Sequence, residues 1–129
     1  MKYLAKIIAN DKNGLQMISA CISAAKVKIS DIKYLAFNKV FLLSIERIKV
    51  ENENENKTVN SIVRFDFIDK VRSKNIDQSN QEAVLELVGI DYLKNNEVYE
   101  INLIFNNNAH IALTTETIEA RLEDQSEIK

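Results

Sequence analysis

The sequence predicts an α+β domain dominated by antiparallel sheet. Three observations carry that expectation. Apolar and polar residues alternate in several short runs, as in Tyr99, Ile101, Leu103 and Phe105 against Glu100 and Asn102. Short polar stretches join consecutive runs, which favours neighbouring strands that pair antiparallel. Helical spacing occurs only twice, once near each end of the chain.

In order along the chain, the opening residues read as a first strand. Lys6, Asn10, Asp11 and Lys12 interrupt the apolar residues before a signal-peptide core could form, and no stretch approaches the length of a membrane span. A helix follows Asp11. Leu15, Ile18, Ile22 and Ala25 form its stripe, Asn10 or Asp11 can accept an orphan first-turn amide, and Lys26 and Lys28 suit its negative end. Val27 and Ile29 then alternate with lysines. After Ser30-Asp31 the parity moves to Ile32 and Tyr34, which indicates a bulge or turn. Phe37-Asn38-Lys39 reads as a hairpin turn and Val40 to Val50 as a long strand.

Residues 51–60 form an acidic stretch, expected to be a mobile loop inside one domain spanning residues 1–129. Val63, Phe65, Phe67 and Val71 mark a half-buried strand with Phe65 and Phe67 inward, and Asn75 to Glu82 a polar loop. Val84 to Tyr92 is apolar on both faces apart from Glu86, as a central strand would be. Tyr99 to Phe105 and Ile111 to Leu113 follow. Thr114 or Thr115 can cap a short C-terminal helix whose buried face would be Ile118 and Leu122. The expectation is therefore six to seven strands with two helices. Two architectures fit that order: a bent sheet closed by the terminal helix, like a pleckstrin-homology barrel, and an open sheet with helices on one face.

Composition bounds the chemistry. The 129 residues suffice to bury a core without disulfides or metals, and hydrophobic content of 46% with 28% charged residues is ordinary globular usage. The single cysteine, Cys21, fits a reducing, cytoplasmic compartment. Net charge is −2, and residues 51–60 alone hold three glutamates and one lysine. The remainder is balanced, so neither nucleic acid nor membrane is expected as a partner. Proline is absent and glycine occurs only at Gly14 and Gly89, so asparagine must serve the turns that need positive φ. Two distant glycines build no phosphate loop, and one histidine with one cysteine builds no zinc site, so no cofactor is expected. His110 reads as a solvated turn residue and Cys21 as a core thiol.

Several phrases resemble one bacterial family of uncharacterised proteins, the domain-of-unknown-function family twenty-nine forty-eight. They are Ile8-Ala9-Asn10-Asp11 with Leu15 and Ile18-Ser19-Ala20; Ala25 to Ile32 closing on Tyr34-Leu35; Val71 to Asp77 followed by Ala83 to Leu87; and Ile101, Leu103, Phe105, Ile111 and Leu113 before Ile118 to Leu122. The resemblance implies a one-domain bacterial protein with no assigned activity. Asn75 and Asn107-Asn108 stand where the family tends to glycine. Ser23-Ala24 replaces a glutamine-aspartate pair, which weakens any catalytic role for that helix end.

The most distinctive polar segment is the turn of Arg72, Ser73, Lys74, Asn75 and Asp77. Arg72 and Lys74 offer donors to an anion, Ser73 and Asn75 offer adaptable hydrogen bonds, and Asp77 can orient the cations. These five residues are the candidate binding site, and no catalytic set or metal site accompanies them. The reading is a non-enzymatic binding or adaptor domain, with a protein or a small molecule as the ligand. The alternative is a small-ligand protein or enzyme whose site gathers scattered groups such as Asp31, Arg47, Arg72, Asp77 and Glu119.

Overall fold

The structure, a computed structural model, describes residues 5–48 and 58–128. Strand β1 (Lys6–Ala9) leads into helix α1 (Lys12–Ile22), which Asp11 caps by accepting the Gly14 N–H at 2.8 Å. Gly14 is required by space as well, since a Cβ there would lie 2.6 Å from Ala9 Cβ. Then come β2 (Lys26–Lys28), a 3₁₀ turn (Ile29–Asp31) at the predicted parity change, β3 (Ile32–Leu35) and β4 (Val40–Ile48). The chain continues through β5 (Thr58–Phe65), β6 (Ile68–Lys74), β7 (Val84–Asn95), β8 (Val98–Phe105), β9 (His110–Thr115) and β10 (Ala120–Ile128).

Every ladder is antiparallel, and the strand order is β1-β10-β5-β4-β2-β7-β8-β9-β6, with β3 on β4. The order forces the sheet to curl. From β5 to β6 the sheet runs six ladder steps, roughly 29 Å at about 4.8 Å each. Yet the chain joins Phe65 to Ile68 through only Asp66 and Phe67, a reach of about 10 Å. The sheet must therefore fold back on itself. Leu15, Ile18 and Ile22 of α1 fill the concavity against Phe41, Val63, Phe65, Leu87, Leu103 and Leu113. A bulge between Leu87 and Gly89 frees the Ile90 N–H, which donates to Ser19 Oγ of the helix at 2.9 Å.

Several expectations need correction. The described residues form ten strands and one α-helix, so the fold is more sheet-dominated than an α+β reading implied. The C-terminal helix is strand β10. Ile118 and Leu122 are buried as expected, but so are Ala120 and Asp124, and that period of two belongs to a strand held between β1 and β5. The spacing of residues 118 and 122 alone fits both periods.

Phe67 is 56% exposed, not buried. It turns the β5–β6 corner with φ 60°, and Ile68 takes the inward place. Lys26 and Lys28 lie in β2, and the last turn of α1 holds no basic residue. Strand β7 is internal, but Val84 and Val88 face solvent, so it is not buried on both faces. Residues 51–57 of the expected loop lie outside the described residues, and its last three, Thr58 to Asn60, are strand β5.

The turn chemistry holds. Asn75, Asn96, Asn107 and Asn108 all have φ near +60°, and neither glycine has positive φ.

Candidate functional site

The curled sheet brings two strand edges face to face without joining them. Among the described residues, strand β3 pairs with β4 alone, and β6 pairs with β9 alone. Their free edges run antiparallel to one another along a seam. At one end the Ile68 N–H donates to the Lys39 carbonyl at 2.8 Å, and the Tyr34 hydroxyl donates to the Ile68 carbonyl at 2.7 Å. It takes the length of a tyrosine side chain to make that second bond. At the other end the Ser30 N–H donates to Gln81 and the Ile29 N–H to Ala83, fixing the loop of residues 75–83 against the start of β3.

Between these ends lies a cleft of about 230 Å³. Phe41 and Ile111 form its floor, Ile32 and Tyr34 one wall, and Val71 and Ser73 the other. Ile76, Gln78 and Gln81 of the loop cover it.

The five predicted residues fall around this seam in different roles. Ser73 lines the cleft, where its Oγ accepts from Gln78 Nε2 at 3.3 Å. Arg72 points outward and pairs with Glu100 of β8, and Lys74 lies opposite His110. Asn75 takes the left-handed turn conformation and donates from Nδ2 to the Asn108 carbonyl at 2.9 Å, tying two turns together. Asp77 accepts from the Ser79 hydroxyl at 2.6 Å and the Ser79 N–H at 3.0 Å, and these bonds hold its carboxyl below the usual range. Asp77 thus shapes the loop rather than orienting the cations. Arg64 lies on β5 beyond the corner and pairs with Asp66 at 2.8 Å.

A second polar cluster sits in the core, where sequence reasoning had only scattered charges. Arg47 and Asp124, both with side chains 0% exposed, pair at 2.8 Å. Asp124 also accepts from Ser61 Oγ at 2.6 Å and from the Ala5 N–H at 2.9 Å. Burial would raise the Asp124 carboxyl, but the bonds from Arg47, Ser61 and Ala5 together with the Arg47 charge hold it below its usual range. The register places Ser61 beside Asp124. A polar residue at an inward parity of each strand is the signal that could have found the cluster.

His110 borders a shallow outer groove with Asp91 and Asn102. Cys21 is half-buried against the core. Among the described residues no group of three or more His, Cys, Asp or Glu is placed to hold a metal ion, and no helix is long and apolar enough to cross a membrane.

Fold and site together define a curled antiparallel domain with one helix in its concavity and one unsealed seam. The chain belongs to the family described as "Protein of unknown function (DUF2948)", whose sequence model matches residues 5–129. No curated protein and no solved structure matches the chain.

Proposed function

We propose that the domain is a non-enzymatic binding module of a bacterial cytoplasm, and that it takes its ligand at the β3–β6 seam. The observation that carries this reading is the pair of facing strand edges, bonded at their ends and separated by a cleft of about 230 Å³ whose lining is part apolar, part polar. Of the turn residues, Ser73 would touch a ligand in the cleft. Arg72 and Lys74 would flank it, while Asn75 and Asp77 would hold the loop that covers it. Three of the five groups that an enzyme site was expected to gather are bonded elsewhere. Arg47 is spent on Asp124, Arg72 on Glu100 and Asp77 on Ser79. In the same reading the curled sheet is an incompletely closed barrel of pleckstrin-homology type, with α1 in the place of a terminal helix.

An NMR fragment screen on the ¹⁵N-labelled domain tests the site. Hits should cluster on Ile32, Tyr34, Val71, Ser73 and Ile76, and Ser73→Phe, which fills the cleft, should abolish them. Hits confined to the outer groove of Asp91 and His110, or none at all, would overturn the assignment.

A further inference from the structure

The seam's chemistry is that of a missing strand, and we infer that its occupant is a short extended peptide of alternating apolar and acidic residues, added between β3 and β6. The inference rests on the binding-module reading and names its ligand.

The backbone supplies the first argument. In an antiparallel strand half of the N–H and C=O groups point away from the partner. Beyond the ladder with β9, the described residues bond the β6 backbone across the seam only at Ile68, with the Lys39–Asp69 side-chain pair beside it. Past that point the outward backbone groups of β6, and those of β3 facing them, have no backbone partner among the described residues. A spaced row of donors and acceptors on each of two facing edges matches a peptide main chain better than any small molecule.

Side-chain parity supplies the second argument. Ile32, Tyr34, Val71 and Ser73 line the cleft. Lys33, Lys70 and Lys74 lie at exposed positions of the same two strands, and none of them has an ion pair among the described residues. The other charges on these strands are already matched, Asp69 by Lys39 and Arg72 by Glu100. Asp31 and Asp77 stand at the loop end of the seam, Asp77 being bonded to Ser79. Three lysines thus face two carboxylates without a cationic partner, which leaves the rim cationic by one charge, with the lysines along the strands and the acids at the loop end, over a cleft with an apolar floor. An inserted strand would send alternate side chains to the cleft and to the lysines. Strand β3 has four residues, which sets the length at about four to six residues of ligand.

The probe is a blocked six-residue peptide of alternating valine and glutamate, labelled for fluorescence polarisation. It should bind, and amide exchange in β3 and β6 should slow on binding. A valine-lysine counterpart and a peptide N-methylated at alternate amides should each bind at least tenfold more weakly. Lys70→Glu with Lys74→Glu should lose the binding without changing the melting temperature. Equal binding of the lysine peptide or of the N-methylated peptide overturns strand addition. So does a concentration-dependent dimer joined through β6, which would make a second copy of the chain the occupant. If fragments occupy the seam and the valine-glutamate peptide does not bind, the site stands and the peptide inference fails. If neither binds, both fail.

Discussion

Two places in this sheet face the same problem and solve it differently. Where β4, β5 and β10 meet, three polar side chains point into the core, and Arg47, Ser61 and Asp124 bond to one another until the described cluster leaves no buried side-chain atom unpaired. Where β3 and β6 meet, the polar groups are backbone. Only the two ends of the seam are bonded, and the stretch between them opens onto a cleft. The first region is polar inside and sealed. The second is mixed in polarity and open. Unmet hydrogen-bonding capacity is tolerable in the second because water reaches it, whereas in the first it would destabilise the fold.

The largest expected effect tests the sealed side. Asp124→Ala strands the Arg47 charge in the core, and breaking a buried pair in this way destabilises by about 3–5 kcal/mol. Chemical denaturation of parent and variant measures it. A loss below about 1 kcal/mol would mean that the cluster is more hydrated than its burial implies. The pH dependence follows from the sign of the shift. A carboxyl depressed in the folded state adds stability above its unfolded value, and that stability fades as pH falls below about 4. The stability gap between the parent and Asp124→Asn should therefore be constant from pH 7 to pH 5 and narrow toward pH 3. A gap that holds its size to pH 3 would contradict the depressed carboxyl.

The corner between β5 and β6 joins the two regions, and two phenylalanines there should behave oppositely. Phe65 is 0% exposed and packs on Phe41 with ring centroids 6.3 Å apart. Its replacement by alanine should destabilise by about 3–5 kcal/mol. Phe67 is 56% exposed at φ 60°, a conformation that costs a side chain about 1–2 kcal/mol and a glycine almost nothing. Phe67→Gly should leave stability within about 1 kcal/mol of the parent, once the looser unfolded chain is counted. Thermal melts decide the point. Equal losses at the two positions would place Phe67 in the core after all.

That pair also shows what could be read from sequence. Alternation identified Phe65, Leu103 and Phe105 as core because each strand keeps its parity from end to end. It failed at Phe67 because a two-residue corner resets the parity, and nothing in the local composition marks a phenylalanine in the left-handed region. It failed at β10 because residues 118 and 122 satisfy a helix and a strand equally, and only the neighbours β1 and β5 decide between them. The asparagine turns were legible because positive φ is a local requirement. The seam was half legible. The turn from Arg72 to Asp77 stood out, but an unpaired edge depends on which strands meet. That is set by the curl of the whole sheet, which brings Ile32 and Tyr34 opposite Val71 and Ser73.

The smallest expected effect separates the rim of the seam from its interior. Arg72 is 60% exposed and pairs with Glu100 on the outer face. An exposed pair gains little Coulomb energy and loses side-chain freedom, so Arg72→Ala should change stability by only about 0–1 kcal/mol. High salt should erase even that difference, because exposed charges are screened over about 10 Å at 0.1 M ionic strength. The same replacement frees Glu100 beside the lysines that flank the seam, so an acidic ligand should bind somewhat more weakly at low salt and equally at high salt. Melting curves and binding titrations at two salt concentrations measure both effects. A loss of several kcal/mol in stability would show that the rim is part of the scaffold, and the contrast between a sealed side and an open one would have to be redrawn with Arg72 on the sealed side.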